Sequence, residues 1–339
     1  MKKAIFMLAV GAMALTACSD TEVIEEGVQS PAIGFNTNVG KNSRAIDNDN
    51  FAQFFVYGTY KMPTTSNLVQ VFDGEEVTKS EKGEWGYTNT RYWIDGATYT
   101  FAAYGVDGGI LPGNNAQANF GTADGFLNLA QIEVDGATGH QKDIVYAKSG
   151  SVLGLETNNP SVALAFKHIL SRLDFTFKSG FPAGYTAEVT NVRLVSVRNT
   201  GRFMGQTLSW TDVDRTVDVT SVPAISLQFD ETEISETKSI TSGYAYVIPF
   251  EYKVKNVGIV FNLDVKNGNG EAVYGKEVSA YWAPRWAGGN TYSYTITLNG
   301  QAAGLDPIQF TGSVVDWATG EPSVPNFDID PEPLQQPEP

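Results

Sequence analysis

Two histidines, one cysteine and an excess of carboxylates bound the chemistry open to this chain. His140 and His168 have no cysteine near them, and no H-E-x-x-H, G-x-S-x-G or P-loop pattern accompanies them. His168 closes the alternating run Val162, Leu164, Phe166, His168, where a hydrogen-bonded core histidine is the expected role. Carboxylates could pair as the acid and base of a glycosidase, but any acidic chain offers such pairs and no spacing singles one out. Asp47-Asn48-Asp49-Asn50 begins like a calcium loop. Phe51, Ala52 and Gly58 then stand where an EF-hand needs its third oxygen ligand, its glycine and its glutamate. The residues point to no enzyme, no metal and no cofactor.

Three other groups carry a more specific reading. Cys18 ends Leu15-Thr16-Ala17-Cys18, after a charged Met1-Lys2-Lys3 and an apolar run over residues 4–17. That run is shorter than the roughly 20 residues of a spanning helix. Residues 1–17 therefore read as a signal peptide, with Cys18 as the lipidated residue at its end. A single cysteine also leaves the chain without an internal disulfide. Residues 18–30 follow as an acidic tether carrying Asp20, Glu22, Glu25 and Glu26.

Arg44 sits in a polar loop with Gly40, Lys41, Asn42, Ser43 and Asp47, between a lone first strand over residues 32–39 and the rest of the chain. Such a loop is open to proteolysis. A cut after Arg44 would free the strand and leave a sheet edge and an apolar groove ready to accept a strand from another copy. The third group is Tyr281-Trp282-Ala283-Pro284-Arg285-Trp286. Exposed, Trp282 and Trp286 would form a platform for sugar rings; buried, they fill the end of a sandwich, and burial is the favoured reading.

The elements that must position these residues are strands. Aromatics make up 12% of the 339 residues, glycines number 34, and charged residues only 18%, a balance of strands and turns. The length accommodates about two domains. A net charge of −15 argues against nucleic acid and against attachment to anionic lipid by charge alone. Short strands separated by Asp73-Gly74, Asp95-Gly96, Asp124-Gly125 and Asp135-Gly136 fill the first half, with residues 105–125 read as a long surface loop. The expected units are 31–158 and 159–320, followed by a solvated Pro and acid tail over 321–339. Within the second, apolar parity switches between Phe166 and Leu173, which reads as a bulge near 169–172, with a helix over 164–173 as the competing reading. Tyr244 to Val254 alternate strictly, Asn267-Gly268-Asn269-Gly270 reads as a hairpin turn, and Tyr292, Tyr294, Ile296 and Leu298 form another strand. The last candidates are Ile308 and Phe310 on one parity, then Val315 and Trp317 on the other.

Several stretches together resemble the fimbrillin family of Bacteroidales, the type V pilins and their surface-lipoprotein relatives. They are the signal ending at Cys18, Ser43-Arg44-Ala45, Arg91-Tyr92-Trp93 with Tyr99-Thr100-Phe101-Ala102-Ala103-Tyr104, Phe166-Lys167-His168-Ile169-Leu170-Ser171-Arg172-Leu173, Trp286-Ala287-Gly288-Gly289-Asn290-Thr291-Tyr292-Ser293-Tyr294, and Asp316-Trp317. The resemblance implies an all-β chain of two tandem transthyretin-like antiparallel β-sandwich domains. It further implies an outer-membrane lipoprotein precursor, cleavage after Arg44 by an arginine-specific protease, and a donor strand from Ile308, Phe310, Val315 and Trp317 of a neighbouring fimbrial subunit. The tail after Trp317 departs from a shaft subunit that ends on its strand. The alternative is a monomeric surface lipoprotein that keeps its first strand and binds glycans or host ligands through residues 281–286.

Overall fold

The structure, a computed structural model, describes residues 30–39, 46–155, 161–213, 224–253, 257–301, 304–305, 309–316 and 322–329, with backbone alone from residue 301 onward. The first half contains β1 (Phe35–Val39), β2 (Gln53–Lys61), β3 (Val69–Lys79), β4 (Trp85–Gly86) and β5 (Thr98–Val106). It continues through β6 (Gln117–Phe120), β7 (Leu127–Glu133), β8 (Ile144–Lys148), β9 (Val152–Leu153) and β10 (Val162–His168). The second half opens with β11 (Ser171–Ser179), β12 (Thr186–Val195), β13 (Thr200–Met204), β14 (Ser209–Thr211), β15 (Ile225–Ser226) and β16 (Glu233–Ser235). Then come β17 (Ile240–Thr241), β18 (Ala245–Val247), β19 (Val257–Lys266), β20 (Ala272–Trp282) and β21 (Asn290–Leu298). The last strands are β22 (Gly300–Gln301), β23 (Gly304–Leu305), β24 (Gln309–Asp316) and β25 (Pro322–Ile329).

The all-β class read from the sequence is the class observed. One sheet runs β1-β10-β8-β5-β2-β3-β4, with β9 added to β5. In the second half a sheet ordered β17-β11-β21-β24-β25, with β18 on β11, faces another ordered β15-β12-β19-β20, with β16 on β12. A further sheet, β14-β13-β7-β6, takes two strands from each half. Most ladders are antiparallel, but β1 runs parallel to β10, and β11 to β21. The expected boundary near residue 158 lies outside the described residues, and β10 beyond it is hydrogen bonded into the sheet of the first half.

Among the described residues three apolar cores form, two of them meeting at β5, which buries both of its faces. On β5, Tyr99, Phe101 and Ala103 enter the first core, while Ala102, Tyr104 and Val106 enter a core at the seam. Leu173, Phe175 and Phe177 enter the core of the second half. The parity switch after Phe166 is therefore neither a bulge nor a helix. β10 ends at His168, Ile169 and Leu170 turn into the seam core, and β11 begins in a different sheet.

Four other expectations change for local reasons. Residues 105–125 are not all loop, because Gln117–Phe120 pairs with β7 as β6. The alternation from Tyr244 gives only Ala245–Val247, because Ala245 and Val247 serve the second core while Tyr246 and Ile248 serve the seam. Pro249 then removes a backbone donor. The first strand is shorter than residues 32–39. Finally, Pro322–Ile329 of the tail forms β25 on β24; as the outer strand of its sheet it tolerates Pro322 and Pro325.

Candidate strand-exchange groove

The N-terminal segment uses two different partners within nine residues. At its start, Ile33 N–H donates to the Arg91 carbonyl at 2.8 Å, and Trp93 N–H donates to the Pro31 carbonyl at 3.1 Å. After Gly34, whose carbonyl accepts from Val162 N–H at 2.7 Å, the chain pairs with β10 from Phe35↔Val162 to Val39↔Phe166. The N-terminal segment thus joins β10, at one edge of the first sheet, to the 91–93 segment that follows β4. Removing it would strip hydrogen-bond partners from both.

Alternation places Ile33, Phe35 and Val39 inward, and each is buried. Phe35 meets the rings of Phe54, Phe72, Tyr87 and Phe101 edge-on, at centroid distances of 5.8, 5.5, 5.9 and 5.9 Å. At roughly 1.5–3 kcal/mol for each fully buried large apolar side chain, the three together contribute about 5–9 kcal/mol. Tyr87 Oη donates to the Ile33 carbonyl at 2.8 Å, and burial, the leading cause, holds its phenol above the ordinary tyrosine range. These four ring partners, Tyr87 among them, were not singled out in the sequence as groove lining. Only a map of which strands surround the first one identifies them.

The far end of the strand is tied down by the Asp47–Asn50 loop. Asn48 Oδ1 accepts from Val39 N–H at 2.7 Å, and Asp47 Oδ1 accepts from the amides of Asp49 and Asn50. Side-chain oxygens of Asp47, Asn48 and Asn50 in that loop are thus engaged with backbone amides. Ile46 is buried, and its amide donates to Asp143 Oδ2 at 3.2 Å. The same oxygen lies 2.8 Å from Nδ1 of His168, whose ring is buried, so His168 holds the core role expected of it.

Among the candidate residues, Cys18, Arg44, Ile308 and Trp317 lie outside the described residues. Arg44 falls between Val39, the end of β1, and buried Ile46. Phe310 and Val315 fall on β24, in register with Ile296 and Thr291 of β21. Trp282 and Trp286 are each 3% exposed and offer no ring face to a ligand. Trp286 Nε1 donates to Tyr294 Oη at 2.9 Å, and Trp282 lies edge-on to Phe175. Trp282, the last residue of β20, and Trp286, in the connection to β21, both turn their rings into the core of the second half, while Ala283 and Arg285 between them stay exposed.

A family model described as fimbrillin-like matches residues 37–317. A candidate fimbrium subunit, Fim1C, of Bacteroides uniformis is 26% identical over 205 residues, and the chain spans 58% of that relative's length and 58% of its own. A solved candidate cell adhesion protein from Bacteroides eggerthii shares 14% identity over 88% of this chain and 99% of its own, with a TM-score of 0.49. The fimbrial anchor protein Mfa2 of Porphyromonas gingivalis shares 14% identity over 86% of this chain and 100% of its own, with a TM-score of 0.37.

Proposed function

The chain belongs to the fimbrillin-like family, and on that premise we propose that it is a fimbrial subunit that assembles on the cell surface by exchanging its first strand. The precursor is acylated at Cys18 and held at the outer membrane. Cleavage after Arg44 then releases β1 with the lipid anchor. The emptied groove takes the C-terminal segment 308–314 of another subunit, and fibre growth supports adhesion.

One observation carries this reading. The inward residues of the first strand, Ile33, Phe35 and Val39, have the form I-x-F-x-x-x-V, and the same form recurs at Ile308, Phe310 and Val314. The two segments run in the same chain direction, so either supplies an isoleucine, a phenylalanine and a valine at equal spacing to the same groove. In the chain's own second sandwich, Phe310, Gly312 and Val314 are in register with Ile296, Tyr294 and Tyr292, which are buried. A segment suited to one apolar wall is therefore suited to another. In the emptied groove the donor replaces the hydrogen bonds and apolar contacts of the removed strand by an equivalent set, and to do so it leaves its own pairing with β21 and β25. The alternative of a glycan platform on Trp282 and Trp286 is not supported, since both rings are buried.

N-terminal analysis of the surface protein tests the proposal. Multimers should consist of chains that begin at Ala45. Surface multimers in which every chain is still acylated at Cys18 would contradict it.

A further inference from the structure

A polar cleft of about 340 Å³ opens on the sheet shared by the two halves. Asn114, Gln131 and Glu133 line it from the first half, and Thr200, Arg202 and Asp212 from the second. Its shape comes from a bulge. β13 pairs Gly201 with Ile132 and Phe203 with Leu129, so Ala130 and Gln131 together stand opposite Arg202. Gln131 absorbs the extra residue at φ 54°, a left-handed conformation that is uncommon outside glycine. Gly113, at φ 121°, lies so near that a Cβ there would come within 2.6 Å of the Gln131 carbonyl. The Pro112 carbonyl accepts from Glu133 N–H at 3.0 Å, which lays the 112–116 turn along the wall. On the opposite side Asp212 also has positive φ, 49°, and its Oδ2 lies 3.6 Å from Arg202 Nε. Two of the strained non-glycine residues thus face one cleft, and strain of this kind gathers at ligand sites.

The lining chemistry selects a ligand class. Glu133 and Asp212 disfavour an anion, and the Arg202 guanidinium disfavours a metal ion. Carboxylates accept, a guanidinium donates, and the amides of Asn114 and Gln131 do both. Adjacent hydroxyls of a sugar, each a donor and an acceptor, match such a set. The volume stands at the low end of small-ligand pockets, roughly 300–1,000 Å³, which suits one saccharide unit. We propose that this cleft binds a neutral saccharide unit. Its small, open walls bury little apolar area, so a single site binds in the millimolar range, and repetition along a fibre would supply avidity. The site does not depend on strand exchange.

The test is a solution NMR titration of the ¹⁵N-labelled full chain with the methyl glycosides of galactose, mannose, glucose and N-acetylglucosamine, and separately with glucuronate and calcium chloride. Saturable shifts at Asn114, Gln131, Thr200 and Arg202 are expected with at least one neutral glycoside. Gln131→Gly keeps the left-handed backbone without its amide, and Arg202→Ala removes the donor; each should weaken binding at least tenfold while the remaining spectrum stays that of the folded chain. The proposal is overturned if no glycoside gives saturable shifts there, if only glucuronate or calcium does, or if both variants bind as the parent does.

Discussion

The carbonyl of Gly34 accepts a hydrogen bond from the amide of Val162 at 2.7 Å, and there the first strand changes partner. Before it, Pro31 and Ile33 bond to Trp93 and Arg91; after it, five residues pair with β10. A Cβ at Gly34 would stand 3.2 Å from Ser161 Oγ, so the crossing leaves little room for a side chain. One short segment therefore bridges β10 and the 91–93 segment beyond β4, which is why its loss would open a groove rather than merely fray an edge.

Phe35 anchors that segment among four aromatic rings. Phe35→Ala should destabilise the uncut chain by about 3–5 kcal/mol, as expected for emptying a buried aromatic site. Asn36→Ala, one residue on and exposed, should change stability by less than about 0.5 kcal/mol. Urea denaturation of the two variants measures the contrast, and equal midpoints would remove Phe35 as the anchor.

A synthetic peptide covering residues 307–316 should bind the chain processed after Arg44 and leave the uncut chain unoccupied. Replacing Phe310 by alanine in the peptide should weaken it at least tenfold, because the phenylalanine fills the central pocket. Fluorescence anisotropy of a labelled peptide reads both.

Gln141 couples the halves: its Oε1 accepts from Tyr246 N–H at 2.7 Å, and its Nε2 donates to the Tyr246 carbonyl at 3.1 Å. Gln141→Ala leaves two backbone groups of a buried residue without these partners. The expected loss is about 1–3 kcal/mol, read as a lower thermal midpoint together with faster amide exchange at Tyr246. Unchanged exchange there would show that the seam does not rely on this contact.

Burial holds Tyr146 and Tyr294 above the ordinary phenol range and pushes Tyr252 up to about 12. The folded chain thus favours the neutral phenol, and the unfolded chain releases its protons first. The stability carried by Tyr252 is complete below its ordinary value of 10 and is lost as pH rises from there through about 12. Urea midpoints should fall above pH 10, and the tyrosinate absorbance of these residues should appear together with unfolding. Their ionisation in a chain still folded would contradict the burial.

Much of this was legible in the sequence, for a physical reason. Period-two alternation marks strands with one buried face, so Ile33, Phe35 and Val39, and later Tyr292, Tyr294 and Ile296, declared their inward sides. It misled where both faces are buried. Tyr246 and Val247 serve different cores, and the parity switch after Phe166 marks a passage between sheets. The groove lining at Phe72, Tyr87 and Phe101 was hidden because pairing between distant strands leaves no local signal. The likeness of Ile308, Phe310 and Val314 to the first strand lies in the sequence, but only a comparison of one strand pattern with another brings it out; the resemblance places Val315, on the opposite parity, in the donor strand instead.

The central claim is that segment 308–314 of one subunit replaces the first strand of another in the same register. In the uncut chain Asn36 pairs with Ala163, both exposed. Exchange would put Thr311 beside Ala163, at the roughly 4.8 Å spacing of neighbouring strands, which a disulfide can span. The most direct measurement mixes an Ala163→Cys chain with a Thr311→Cys chain, both processed after Arg44, under mild oxidation, and looks for covalent dimers by non-reducing electrophoresis and mass spectrometry. The account predicts a Cys-linked dimer between positions 163 and 311, absent when processing is blocked by Arg44→Ala and much reduced when the second cysteine is moved to Gly312. Failure to cross-link in the processed mixture, or equal cross-linking in the unprocessed one, would contradict it.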